Sequence, residues 1–211
     1  MVDSGQVDFD EEAELADIDV AEHDYSGVVA ARADLARCRF TGVRFAGACF
    51  EQARLADIDF VRCDLAGADF SQATLLRVTA SDCRFTGAEL PQAALKRTRF
   101  VDCRFEEANL RMSRHDDVRF DRSVLLQTDL NGAHLTNVVI RASDCAGADF
   151  TNVKAERVDL RGSRLEGLTG IGSLSGATIG RDQLVPLAPA LAMAIGLDIS
   201  DDEPEDWEPE E

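Results

Sequence analysis

The 211 residues include one tryptophan, one tyrosine, three histidines and five prolines, and none of them falls within a recurrent catalytic motif. A glycine-rich phosphate loop ending in Lys-Ser/Thr, an H-E-x-x-H pair and a G-x-S-x-G elbow are all missing, which removes the usual signatures of nucleotide hydrolysis, zinc proteolysis and α/β-hydrolase chemistry. Gly170-Ile-Gly172 is too short a piece of a dinucleotide fingerprint to count. No two cysteines form a C-x-x-C pair, so neither a zinc site nor a dithiol redox centre is expected, and no cofactor or metal is assigned. Long apolar runs are missing as well. The N-terminus has no apolar targeting segment, and Leu184 to Leu197, interrupted by Pro186 and Pro189, is shorter than the ~20 residues a bilayer requires. A cytoplasmic protein without a membrane partner is the expectation.

Basic residues are missing from both ends. Residues 1–24 hold ten acids and residues 198–211 nine, with no lysine or arginine in either, so the net charge of −18 is concentrated at the termini. Residues 25–197 carry 21 acids against 22 bases and are nearly neutral. Lys96, Arg97, Arg99, Arg104, Arg114, Arg119 and Arg122 crowd the middle, but Asp102, Glu106, Glu107, Asp116, Asp117 and Asp121 are interleaved with them. That pattern describes a salt-bridged, solvated face, and direct nucleic-acid binding is not expected.

What is present is a period of five. Every fifth residue from Leu15 to Leu165 lies in one frame, as in Leu35, Phe40, Phe45, Phe50, Leu55, Phe60, Leu65, Phe70 and Leu75, and only Ala30, Ala80, His115, Cys145 and Ala155 are neither large aliphatic nor aromatic. Two residues before each, His23 excepted, lies a small or β-branched residue, for example Ala33, Cys38, Val43, Ala48 and Ile58. A period of five fits neither strand nor helix, so the chain has to be read as a repeat. All nine glycines of the framed region sit two residues after the large position, which marks a corner of positive φ, as in a type II turn.

Six of those glycines are separated by multiples of twenty, as are Phe40, Phe60, Phe100 and Phe120, and Cys63, Cys83 and Cys103. Four quintets therefore make one coil, and coils stack at the strand spacing into a rod about 37 Å long. The large residues fill the axis at roughly 1.5 to 3 kcal/mol each, and the small ones pack where the backbone leaves no room. Cys38, Cys63, Cys83 and Cys103 occupy the small slot and are expected to be reduced and buried. His23 and His115 point inward by frame and His134 outward. A neutral His115 bonded to Ser113, to a carbonyl or to water is expected. Ala80, between Phe60 and Phe100, is expected to be covered by neighbouring rings.

The units Ala53-Arg-Leu-Ala-Asp57, Cys63-Asp-Leu-Ala-Gly67, Ala68-Asp-Phe-Ser-Gln72, Ala108-Asn-Leu-Arg-Met112, Ala148-Asp-Phe-Thr-Asn152 and Val158-Asp-Leu-Arg-Gly162 resemble the pentapeptide-repeat family, whose pattern is A(D/N)LXX. The resemblance implies an all-β solenoid, a right-handed quadrilateral β-helix, here with a short C-terminal α-helical cap. The layout is most similar to the MfpA type, with an uninterrupted frame and without the inserted loops of the Qnr type. Members of both types resemble B-DNA in width and charge and occupy the DNA saddle of gyrase, so the resemblance puts DNA gyrase forward as a protein partner. Against that stands the neutral rod body, because a DNA mimic needs negative potential along its length. A non-enzymatic interaction scaffold is therefore the first reading, with a gyrase-modulating DNA mimic as its alternative.

Two surfaces are candidates for partners. The side built on Phe50, Phe70, Leu90, Leu110, Leu130 and Phe150 presents Glu51, Asp69, Glu89, Asp129 and Asp149, opposed by Arg32 and Arg111 alone. Beyond the coils, Leu184, Val185, Leu187, Leu191, Met193 and Ile195 follow helical spacing up to Gly196, with apolar residues on both faces and a kink or two short helices expected at the prolines. Relatives of this layout dimerise through such a cap, which implies a homodimer with a twofold interface. The organisation expected is an acidic segment at 1–12, the β-helix at 13–167, the cap and dimerisation helix at 168–197, and a disordered acidic tail at 198–211. That tail carries Trp207, Pro204 and Pro209, and reads either as a solubilising extension or as a docking peptide.

Overall fold

A computed structural model of the protein describes residues 7–197 and 199, so the tail from Asp198 onward, Trp207 included, lies outside the described residues apart from Ile199. Strands β1 (Glu14–Ala16), β2 (Asp19–Ala21), β3 (Asp34–Thr41), β4 (Arg54–Val61), β5 (Thr74–Leu76), β6 (Thr79–Ser81), β7 (Ala94–Val101), β8 (Arg114–Asp121), β9 (His134–Arg141) and β10 (Lys154–Glu156) all pair in parallel. Each residue stands opposite the one twenty positions on: Leu35 opposite Leu55, Phe40 opposite Phe60, Phe100 opposite Phe120. The twenty-residue coil is thus confirmed, and the fold is a parallel β-solenoid.

Its four faces differ. The first, built on Leu15, Leu35 and Leu55, and the second, on Val20, Phe40 and Phe60, carry all ten strands. The third face, on Tyr25, Phe45 and Leu65, and the fourth, on Ala30, Phe50 and Phe70, are joined by single-residue bridges such as Asp24 to Arg44 and Cys49 to Asp69.

The corners account for the quintet. From Glu12 to Gly167 every residue two past a core position has positive φ, nine as glycine and 23 as other residues, with Arg122 lowest at 49°. Glycine is thus accommodated but not demanded. A left-handed residue with a Cβ costs about 1–2 kcal/mol, and here most corner N–H groups donate to a carbonyl of the next coil, as Arg62 to Ser81 at 2.9 Å, Gln92 to Arg111 at 2.9 Å and Arg122 to Arg141 at 3.0 Å. Satisfying those donors offsets the local strain.

Inside, register sets aromatic geometry. Rings in one column stack, with Phe50 to Phe70 at 5.1 Å and Phe85 to Phe105 at 4.6 Å, while rings on adjacent faces meet edge to face, as Phe100 and Phe105 do at 4.9 Å and 84°. Ala80 is buried between Phe60 and Phe100. One inward column of the third face reads Cys63, Cys83, Cys103, Ser123, Ser143, Ser163. Here backbone N–H groups donate to the thiol or hydroxyl one coil on (Cys63 N–H to Cys83 Sγ at 3.3 Å, Ser123 N–H to Ser143 Oγ at 3.0 Å), while Ser163 Oγ donates to the Ile140 carbonyl at 2.9 Å.

Both ends are closed. At the start, Phe9 is buried with its ring 4.7 Å from Tyr25 and 5.5 Å from Phe45, and the Val7 N–H donates to the Tyr25 hydroxyl at 2.9 Å. At the other end pairing outlasts the frame, with Thr169 bridging Asp149 and Thr178 bridging Asp159. Two 3₁₀ turns, Ile171–Leu174 and Arg181–Gln183, lead into α1 (Leu184–Ala194). Gln183 comes twenty residues after Ser163 and takes over its role, Nε2 donating to the Leu160 carbonyl at 2.8 Å and to that of Ser163 at 2.5 Å.

Three expectations need correcting. The prolines do not divide the helix: Pro186 lies in its first turn, where N–H groups have no intrahelical acceptor, and Pro189 is carried within a single helix. That helix ends in a Schellman arrangement, the Leu197 N–H donating to Ala192 at 2.9 Å and that of Gly196, at φ 82°, to Met193 at 3.1 Å. His23 is only half-buried, stacked on Tyr25 at 5.9 Å with Nδ1 against the Ala21 carbonyl, because no complete coil precedes its own. His134, expected outside, is half-buried, with Arg114 and Lys154 in register on either side.

Candidate functional site

Stacking places outward side chains of successive coils in vertical columns, so ion pairs form between residues about twenty apart. Arg37 grips Asp17 at 2.6 and 2.7 Å, Arg77 grips Asp57 at 2.5 and 2.6 Å, Arg84 grips Asp64 at 2.8 and 2.5 Å, and Arg122 grips Asp102 at 2.9 and 2.7 Å. Each guanidinium holds its carboxylate partner below the usual range. Much of the charge in the columns on and between the first three faces is paired in this way.

The fourth face is built differently. Asp69, Glu89, Asp129 and Asp149 fall in one column, in the order Cys49, Asp69, Glu89, Asn109, Asp129, Asp149, Thr169 on consecutive coils. Glu51 lies on the same face but one past the core position, in the neighbouring column. Their donors are mostly neutral. Asp69 accepts from the N–H and hydroxyl of Ser71 at 2.8 and 2.5 Å, Glu89 from Asn109 Nδ2 at 2.6 Å, and Asp149 from the Thr151 N–H and the Thr169 hydroxyl, both at 2.8 Å. Burial works to raise the Asp149 pKa, but hydrogen bonds from Thr151, Thr169 and Asn131 outweigh it and hold the carboxyl below its ordinary value. Arg111 pairs with Asp129 at 2.9 Å, whereas Arg32 turns to Glu11 and Glu12 instead of this column. Neutral donors fix Asp69, Glu89 and Asp149 without cancelling their charge, so the rod, neutral in sum, is polarised around its circumference. The corner between the third and fourth faces is nearly bare: a Cβ at Gly27, Gly47, Gly67 or Gly87 would meet nothing within 4 Å.

The cap offers an apolar surface. Val185 is 82 % exposed, Met193 75 % and Ile195 74 %, with Leu184 and Leu191 partly open beside them. Leu187 does not belong to that surface. It is 1 % exposed, packed into the core as the residue that anchors the helix, and is corrected from interface candidate to core. Between the helix and the preceding turn lies an apolar hollow of about 420 Å³ lined by Leu168, Gly170, Ile171, Ala190, Met193 and Ala194.

The remaining groups are quiet. His115 is 1 % exposed. The Ser113 hydroxyl donates to the Leu110 carbonyl at 2.6 Å and accepts from His115 Nε2 at 2.8 Å, which assigns the Nε2–H tautomer and leaves Nδ1 without a partner. Burial pushes this imidazole down to about 4 and the Cys145 thiol up to about 12. All six cysteines are free, and Cys83 is held protonated by hydrogen bonding to Cys103 and Cys63 together with burial. No group of three or more potential metal ligands occurs among the described residues, and no helix among them is long and apolar enough to cross a membrane.

Frame counting brought out the acidic face but missed Phe9, which is off the period, and Gln183. The latter was within reach, since it follows Ser163 by one coil.

A family model for the pentapeptide repeat region matches residues 33–88 and 76–150, more than half of the chain. Among solved structures the chain is similar to a trypsin-treated form of QnrB1, a plasmid-mediated fluoroquinolone resistance protein, at 21% identity over 89% of this chain and 99% of that one, with a TM-score of 0.55. A second trypsin-treated QnrB1 structure gives 21% identity, 85% and 98% coverage and a TM-score of 0.51. HetL, a pentapeptide repeat protein involved in heterocyst differentiation regulation from the cyanobacterium Nostoc sp. strain PCC 7120, gives 18% identity, 79% and 87% coverage and a TM-score of 0.36. A comparison with curated proteins gave no match. Coils of twenty residues, corners of positive φ every five and the matching family model agree: the chain belongs to the pentapeptide repeat family.

Proposed function

We propose that this protein is a non-enzymatic, cytoplasmic interaction scaffold that presents its fourth face to a protein partner and is paired through its C-terminal cap. The observation that carries the reading is the carboxylate column of the fourth face: Asp69, Glu89 and Asp149 are held by amides and hydroxyls and only Asp129 meets an arginine, Arg111, while most other outward acids of the coils face arginines. A rigid ladder with regular charge spacing suits recognition by shape and potential. The single fully buried imidazole is neutral and committed to Ser113, which supports a scaffold over an enzyme. Free cysteines support a reducing compartment. Exposed Val185, Met193 and Ile195 support pairing, because two copies would cover each other's apolar residues.

The test is capture of a partner from a lysate by the wild type and by a D69N/E89Q/D129N/D149N variant. A stable partner retained by both removes the fourth face from the reading. Light scattering tests the pairing: a monomeric mass for the wild type, unchanged in V185E, rejects it.

A DNA-mimicking modulator of gyrase is the second reading, favoured by the same acidic column and by the acidic first coil (Glu14, Asp17, Asp19, Glu22, Asp24). QnrB1 is a fluoroquinolone resistance protein, but at 21% identity the likeness supports the fold only. Purified gyrase whose supercoiling is unaffected at micromolar protein would eliminate this reading and leave the scaffold standing.

A further inference from the structure

At the edge between the first and second faces, two neighbouring columns bring arginines together at the same height. The corner column runs Asp17, Arg37, Asp57, Arg77 and then Arg97, and the second-face column has Arg39 paired with Asp59 at 2.9 Å but Arg99 and Arg119 in direct register. Asp57 holds Arg77, and Asp121 holds Arg99 at 2.9 Å. Arg97 and Arg119 have no carboxylate within ion-pair distance among the described residues, and both are exposed. They lie one coil and two residues apart, roughly 8 Å between Cα atoms at ordinary strand spacings.

The two line one surface depression of about 210 Å³ together with Thr98, Arg99 and Asp117. Comparable depressions on the rod are balanced or acidic. One is lined by Arg62, Arg84 and Arg104 against Asp64, Asp82 and Asp102, another by Arg37 and Arg39 against Asp17, Asp19, Asp57 and Asp59. Three arginines against one aspartate make this hollow the exception, with two guanidiniums outside any ion pair and positive charge in excess.

We propose that the depression lined by Arg97, Arg99 and Arg119 binds a dianionic phosphate group, either free phosphate or a phosphate monoester carried by a peptide. Guanidinium forks suit phosphate oxygens in a bidentate manner, and a phosphate monoester carries about −1.5 to −2 at neutral pH, whereas a carboxylate would neutralise only one arginine. Asp117 opposes the ligand from the rim. The second face is opposite the fourth, so this site leaves the acidic column free.

The experiment is a titration of the full chain at low ionic strength, following arginine Nε–H resonances by NMR. Inorganic phosphate is expected to shift Arg97 and Arg119 saturably, with Kd in the millimolar range or tighter. R97Q and R119Q each weaken binding about five-fold or more, as loss of a charge-assisted bidentate contact requires, and D117N strengthens it. All three residues are exposed, so thermal unfolding should be unchanged. A phosphoserine peptide binding about ten-fold tighter than inorganic phosphate assigns the group to a partner, and equal binding assigns it to the free ion. Three results overturn the site: unsaturable shifts of equal size at Arg54 and Arg114, an R97Q/R119Q variant that binds phosphate as the wild type does, or a glutamate peptide that binds as tightly as the phosphopeptide.

Discussion

His115 is a residue whose burial makes stability depend on pH. In the unfolded chain its pKa is near 6.5, and in the fold burial lowers it to about 4. Below pH 6.5 the unfolded state therefore takes up a proton that the folded state refuses. The contribution is fully present above pH 6.5 and is lost as pH falls, amounting to about 3 kcal/mol by pH 4. Leu95 and Leu135 flank it in register, so His115→Leu should remove this loss and raise the urea midpoint at pH 4.5 more than at pH 7.5. Equal gains at both pH values would contradict the assignment. The frame was enough to place this imidazole inside and Ser113 beside it. It could not show that the Thr98 hydroxyl would be left unpartnered, because thiols and hydroxyls in the same kind of slot find carbonyls, as Cys38 does at Ala36. Val78 and Val118 lie above and below Thr98 in its column, and Thr98→Val should stabilise the fold by about 1 kcal/mol in equilibrium unfolding.

Among the elements, the coils were legible and their ends were not. Repetition announces itself through Phe40, Phe60, Phe100 and Phe120, whereas a closing segment is used once and leaves no period. Phe9 fills the first layer from a position outside the frame. The helical spacing after Gln183 was readable, yet which of its apolar residues faced inward was not: Leu187 turned out to be the anchor and Val185 the exposed member. Gly170 is the joint between the last coil and the cap. At φ 74°, a Cβ there would lie 2.2 Å from the Thr151 nitrogen and 2.4 Å from the Phe150 carbonyl carbon, both backbone atoms that cannot step aside. Gly170→Ala should therefore detach the cap while leaving the ladder folded. Hydrogen exchange reads this directly, with protection lost over residues 170–196 and kept at Phe60 and Phe100. Protection retained throughout would mean that the joint has slack.

For the molecule as a whole, the decisive property is that charge cancels along some columns, as at Asp17 with Arg37 and Asp57 with Arg77, and stays uncancelled along others, as at Asp69, Glu89 and Asp149. The composition gave the near-neutral sum, but sequence alone could not say which acids found arginines, because pairing depends on side chains reaching a neighbouring coil. Arg32, counted against the fourth face by sequence, is spent on Glu11 and Glu12. The same parallel stacking has a further consequence at the two closed ends. An uncovered terminal coil would display a row of unpaired amides and carbonyls at the 4.8 Å repeat, a template onto which the matching coil of another molecule could be added in register. The Phe9 plug and the Gln183-anchored helix then serve as terminators that keep a self-complementary lattice finite. A chain ending at Gly180 should grow end to end into filaments visible by electron microscopy, at a rate that rises with protein concentration.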